Sequence, residues 1–169
     1  MNDLPPHGAG LLGLDEQGAF GVRFDRELRH PTTRVWAALT EPARLAGWLP
    51  GCLIEARVDG LVRFDFGPEG TATGRVRALR APGSDLEAGT LEHSWRWDGV
   101  PESLVSWRLA PTGGGCRLTL THREVPAAPA RDFAVGWHLV LDVLTHTLAG
   151  TPADQVWADA ERLGAHYAA

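Results

Sequence analysis

From Phe20 onward the chain alternates: Phe20, Val22, Phe24 and Leu28 share one parity, and Arg23, Asp25, Glu27 and Arg29 the other. Period two over this length predicts a half-buried strand. Pro31 ends it. Thr32 or Thr33 is placed to cap a short helix through Val35 and Leu39, since a hydroxyl there satisfies free backbone N–H groups. Thr40 is placed to cap a second short helix, residues 41–49, with Pro42 in its first turn, where a missing N–H costs little. Strand-like runs follow at 53–58, 61–66, 71–80, 85–97, 103–109 and 116–124. Asp59-Gly60 reads as a tight hairpin and Gly113-Gly114-Gly115 as the turn before the last strand. Short turns throughout predict an antiparallel sheet.

After Pro126 and Pro129 the period becomes helical. Phe133, Trp137, Val140, Leu141, Leu144 and Leu148 fall on one face. Residues 149–152 interrupt this helix, and Thr151 is placed to cap a continuation through Trp157, Leu163 and Tyr167. The expected fold is therefore α+β: a curved antiparallel sheet of about seven strands wrapped on a long C-terminal helix, with two short helices after the first strand. A helix against a strongly curved sheet leaves a gap that side chains need not fill, which is the physical basis for a ligand cavity. Residues 1–18, rich in Pro and Gly, are expected as a flexible N-terminal arm, and 19–169 as one domain.

Composition sharpens this picture in three ways. Seven Trp against one Tyr and five Phe suit a partly wet aromatic cavity better than a dry aliphatic core. The net charge of -5, with all 16 basic residues Arg and spread along the chain, argues against nucleic acid as a partner. Cys52 and Cys116 have no paired spacing and read as reduced. With no signal peptide and no long apolar run, the expectation is a soluble, cytoplasmic protein with no membrane span.

Four stretches resemble a known family. The first is Arg26-Glu27-Leu28-Arg29-His30-Pro31, continuing through Val35-Trp36-Ala37-Ala38-Leu39-Thr40-Glu41-Pro42 to Trp48. The second is 91–97, ending on Trp97; the third is Cys116-Arg117-Leu118-Thr119-Leu120-Thr121-His122, with Cys where Thr is usual. The fourth is Gly136-Trp137-His138 with Leu141, Asp142 and Leu144. In this order they resemble the family similar to the C-terminal domain of the activator of the heat-shock-protein-90 ATPase. That family lies within the SRPBCC superfamily, beside birch pollen allergen and START domains. The resemblance implies the helix-grip fold and an internal hydrophobic cavity.

Strand parity places His93, Trp95 and Trp97 on one face, Trp107 on the matching face of the next strand, and Leu120 with His122 on that of the last. With Trp48, Phe64, Phe66, Phe133, Trp137 and Leu141 these form the expected ligand wall. His93 and His122 are candidates for a general base, weighed against core histidines bonded to a carbonyl or carboxylate. Arg26, on the apolar parity of its strand, is either an anion-holding group at the cavity or the partner of an inward acid such as Glu124. His138, Asp142 and His146 share a helix face expected to meet water rather than hold a metal. Leu139 and Val143 lie off the main stripe and are candidates for an exposed patch or a homodimer contact. Phosphate-loop, dinucleotide and hydrolase patterns are absent from the sequence, and no cofactor or metal is expected. The expected function is binding of a small hydrophobic ligand. The alternatives are a protein-interaction or co-chaperone-like module, and a cyclase- or hydrolase-type enzyme using a cavity histidine.

Overall fold

The computed structural model describes residues 5–169. Eight strands form one antiparallel sheet in the order β1-β2-β8-β7-β6-β5-β4-β3. They are β1 (Leu11–Leu14), β2 (Phe20–Leu28), β3 (Leu53–Ile54), β4 (Leu61–Asp65), β5 (Thr71–Arg80), β6 (Gly89–Trp97), β7 (Val100–Thr112) and β8 (Gly115–Arg123). Helices α1 (Thr32–Thr40) and α2 (Pro42–Trp48) follow β2, and the 23-residue α3 (Ala127–Ala149) closes the inner face. A 3₁₀ turn (Val156–Asp159) leads to α4 (Ala160–Ala168), and both pack on α3. This is the α+β helix-grip architecture.

The alternation in β2, β6, β7 and β8 decides which side is inside. Phe24, Leu91, Trp95, Val105, Trp107, Leu118 and Leu120 are all buried beneath the apolar stripe of α3. Register shifts between Val76 and Ala78 on β5, and between Trp95 and Trp97 on β6, bend the sheet. Bulges of this kind increase local twist and re-aim side chains.

Several local expectations are corrected. The sheet has eight strands because residues 11–14, inside the stretch expected as an arm, pair with β2 from Leu11↔Arg23 to Leu14↔Phe20. Residues 1–4 of that stretch lie outside the described residues. The strand expected at 53–58 keeps only Leu53–Ile54. Asp59-Gly60 does not close a two-residue hairpin, because its Asp59 N–H and Gly60 carbonyl pair with Val76 of β5 (2.8 and 2.9 Å). Asp59 takes a left-handed φ of 63°, and a Cβ on Gly60 would meet the Glu55 carbonyl at 2.1 Å.

The threonine caps are also replaced. Pro31 precedes α1 with no side-chain cap, and the Thr32 and Thr33 hydroxyls reach the Ser84 carbonyl and the Asp85 carboxylate in the β5–β6 loop. Glu41, not Thr40, starts α2, and the Thr40 hydroxyl bonds back to the Trp36 carbonyl (2.7 Å). Thr151 bonds the carbonyl of His146 (3.3 Å) at the end of α3, where Gly150 is left-handed, so it does not cap α4.

Candidate functional site

At one end of the gap between sheet and α3 the two layers separate around a cavity of about 1000 Å³. That is the upper end of the range for small-molecule sites. Its sheet wall is Trp95 and Trp97 from β6, with Phe66 just after β4. Its helix wall is Phe133, Gly136, Trp137 and Leu139, and Trp48 of α2 and Trp157 of the 3₁₀ turn also line it. Trp95 stands at the centre, 5.0 Å from Trp137 and 5.7 Å from Phe133 between ring centroids. Trp97 stacks on it at 6.4 Å and meets Phe133 edge-on at 5.5 Å. A Cβ added to Gly136 would meet no atom within 4 Å. Here the missing side chain leaves room in the cavity rather than bringing helix and sheet together.

Of the expected ligand wall, Trp48, Phe66, Trp95, Trp97, Phe133 and Trp137 line this space. Phe64, His93, Trp107, Leu120, His122 and Leu141 do not; they are buried behind it as solid packing. The two histidines are bound on both ring nitrogens. Trp107 donates its indole N–H to His93 Nε2 (3.1 Å), so the proton sits on Nδ1 and is donated to the Ser94 carbonyl (3.0 Å). Trp137 donates to His122 Nδ1 (3.0 Å), so Nε2 carries the proton and donates to Ser103 Oγ (2.7 Å). Burial holds both rings neutral, lowering His93 to about 4 and, helped by repulsion from His93, His122 to about 3. Because His122 gives its proton to Ser103, the pair is arranged opposite to a base that activates a serine. Ser103 was not singled out from the sequence, although it shares the inward parity of Val105 and Trp107.

Among the buried indoles, one N–H stands apart. Trp48 donates to the Ala38 carbonyl (2.9 Å), and Trp107 and Trp137 donate to the histidines. Trp95 is equally buried, yet its Nε1 has no partner. An unmade hydrogen bond on a buried donor costs about 1–3 kcal/mol.

Arg26 is buried away from the cavity and pairs with Asp142 of α3 at 2.7 Å, with Gly8 accepting from its Nε at 3.1 Å. The expected partner Glu124 is an exposed turn residue with φ 64°. Nor does the polar face of α3 meet water throughout. His138 is buried, its Nε2 toward Asp142 (3.5 Å) and its Nδ1 2.8 Å from the Tyr167 hydroxyl, which also accepts the Gly10 N–H (2.8 Å). His146 is bound separately to Thr151 (2.7 Å), so the three residues do not converge. Leu139 and Val143 are buried as well, since the 3₁₀ turn and α4 cover that side of α3. A polar face can be an interior face when a later segment brings its own polar partners.

A second concavity of about 600 Å³ runs beside β1, bordered by residues 11–17 and by Arg23 and Arg123. Among the described residues, no helix is long and apolar enough to cross a membrane.

A curved antiparallel sheet gripping a long C-terminal helix, with an aromatic space left between them, defines a helix-grip protein of the SRPBCC type. The match to the family model "Activator of Hsp90 ATPase homolog 1-like protein" spans residues 29–149, and the chain belongs to that family. The chain is similar to the crystal structure of CalU16 from Micromonospora echinospora, with 25% identity over 95% of this chain and 94% of that one and a TM-score of 0.74. It is similar to the protein encoded by BPP1335 from Bordetella parapertussis, at 25% identity over 99% and 92% with a TM-score of 0.69. It shares its fold with DynU16, a protein in the dynemicin biosynthetic locus, at 24% identity over 78% of this chain and 48% of that one, with a TM-score of 0.62. No curated protein matches the chain.

Proposed function

We propose that the chain binds a small, largely aromatic molecule in the cavity between β6 and α3. The observation that carries this reading is a space of about 1000 Å³ walled by indole and phenyl rings at the mouth of an otherwise solid core. Flat rings on several sides offer stacked and edge-on contacts to a planar guest. The protein-interaction reading loses its patch, since Leu139 and Val143 are covered. The enzymatic reading lacks a free base in the sealed core, where both histidines hold two hydrogen bonds each.

Gly136→Leu tests the proposal. The added side chain grows into open space from a helical position where glycine costs about 1 kcal/mol against alanine, so the fold tolerates it. N-phenyl-1-naphthylamine is expected to bind the native protein with enhanced probe fluorescence and quenched Trp emission. The variant is expected to keep its far-UV circular dichroism and lose at least about tenfold in affinity. No binding by the native protein, or unchanged binding by the variant, removes the cavity as the site.

A further inference from the structure

The charges bordering the cavity have one sign. Asp65 at the end of β4, Glu69 in the following 3₁₀ turn and Asp132 on α3 are the charged residues in its lining, and no Arg or His contributes. The first two belong to the sheet wall and the third to the helix wall, so carboxylates flank the opening from both sides. Asp65 is partly committed: one oxygen accepts the Gly67 N–H (2.8 Å) and the other lies 3.7 Å from Arg63. Glu69 and Asp132 are exposed, and their carboxylates make no ion pair or hydrogen bond among the described residues. Arg131 precedes Asp132 in the chain but does not line the space.

Two features oppose a negative mouth. The first turn of α3 borders it through Ala128 and Pro129, and a helix N-terminus carries roughly half a positive charge. Pro129 has no N–H to offer. The other feature is Arg63, shared with Asp65. Against three carboxylates neither reverses the sign. Low-dielectric aromatic walls then focus the field into the opening. Those walls add a second attraction of the same sense, because the faces of Trp and Phe are negative and draw a cation within reach.

We propose that the cavity's occupant is cationic, an aromatic skeleton bearing a protonated amine. This rests on the cavity being the binding site. It also reverses the sign of ligand suggested by Arg26 in the sequence, whose charge is taken up by Asp142. A carboxylate-bearing guest meets like charge at the mouth; an amine-bearing one meets Glu69 and Asp132 at the rim and ring faces within.

The test uses three probes on one skeleton: 1-naphthylmethylamine, 1-naphthalenemethanol and 1-naphthoate, titrated against the native protein by Trp quenching at neutral pH. The amine is expected to bind at least about tenfold more tightly than the carboxylate at low salt, with the gap narrowing at high salt. In a Glu69→Gln, Asp132→Asn double variant the amine is expected to lose about tenfold more affinity than the alcohol. Alcohol binding with no advantage for the amine, or an amine preference untouched by the double variant, overturns the charge assignment and leaves the cavity reading standing. Failure of all three probes overturns both.

Discussion

The two ends of the inner face are built from the same residue types and differ in how those residues are paired. At the sealed end, Trp107 and Trp137 give their N–H groups to His93 and His122, the histidines pass their protons to Ser94 and Ser103, and Phe64 stacks against His93 at 6.0 Å. No donor there is left over. At the open end, on either side of the β6 bulge, Trp95 keeps an unused N–H and Trp97 is partly exposed, while Gly136 faces empty space. Aromatic content alone does not distinguish a core from a binding wall; the distinction lies in whether each polar ring atom finds its partner within the protein.

The contrast predicts that acid attacks the sealed end. His93 and His122 have folded values of about 4 and 3, below the 6.5 of an unperturbed histidine. The unfolded chain therefore takes up protons first, and the stability contributed by neutral rings is full above pH 6.5 and lost as pH falls toward the folded values. Each ring accounts for about 1.4 kcal/mol per pH unit in this window, or roughly 4 kcal/mol for both by pH 5. His138, also lowered by burial, acts in the same sense. Carboxylates such as Asp25 and Glu102 are held below the ordinary carboxylate range by their arginine partners, so they leave this window to the histidines. Urea denaturation at pH 7, 6 and 5 measures this directly. A stability flat across that range means the rings are not locked as described.

A smaller effect separates the two ends residue by residue. Trp107→Phe removes ring volume and strips His93 Nε2 of its donor, leaving a buried acceptor unsatisfied. Trp95→Phe removes similar volume but deletes a donor that had no partner. The first is expected to be the more destabilising by roughly 2 kcal/mol, the cost of one orphaned buried group plus the relief of another. Equal losses in urea denaturation show that the Trp95 N–H is satisfied in solution before any ligand arrives.

How much of this was legible in the chain follows from the range of the interactions. Strand parity placed Phe24, His93, Trp95, Trp107, Leu120 and His122 inside because alternation is a local property, and the α3 stripe was equally local. The same parity contained Ser103, which was readable and overlooked. The pairing of Arg26 with Asp142, and the burial of His138, Leu139 and Val143, depend on segments over 100 residues apart or on α4 folding back across α3. No periodicity within α3 announces a second covered face lined with polar groups. The acidic rim is of this kind too, since Asp65 and Glu69 meet Asp132 only when the sheet closes on the helix.

The smallest effect tests the openness of the site most cleanly, because it uses two glycines in equivalent settings. Gly136 in α3 and Gly164 in α4 are both helical, and at both an added Cβ would meet nothing within 4 Å. Alanine at either position gains helix propensity and restricts the unfolded chain, so each substitution is expected to stabilise the fold by about 1 kcal/mol in urea denaturation. Only Gly136 borders the cavity. Gly136→Ala is therefore expected to weaken N-phenyl-1-naphthylamine binding by about twofold to threefold, since one methyl takes up a small part of the space, while Gly164→Ala leaves it within error. If Gly136→Ala destabilises the protein, helix and sheet approach more closely in solution than the open space allows, and the wall around Trp95 is packing rather than a binding surface.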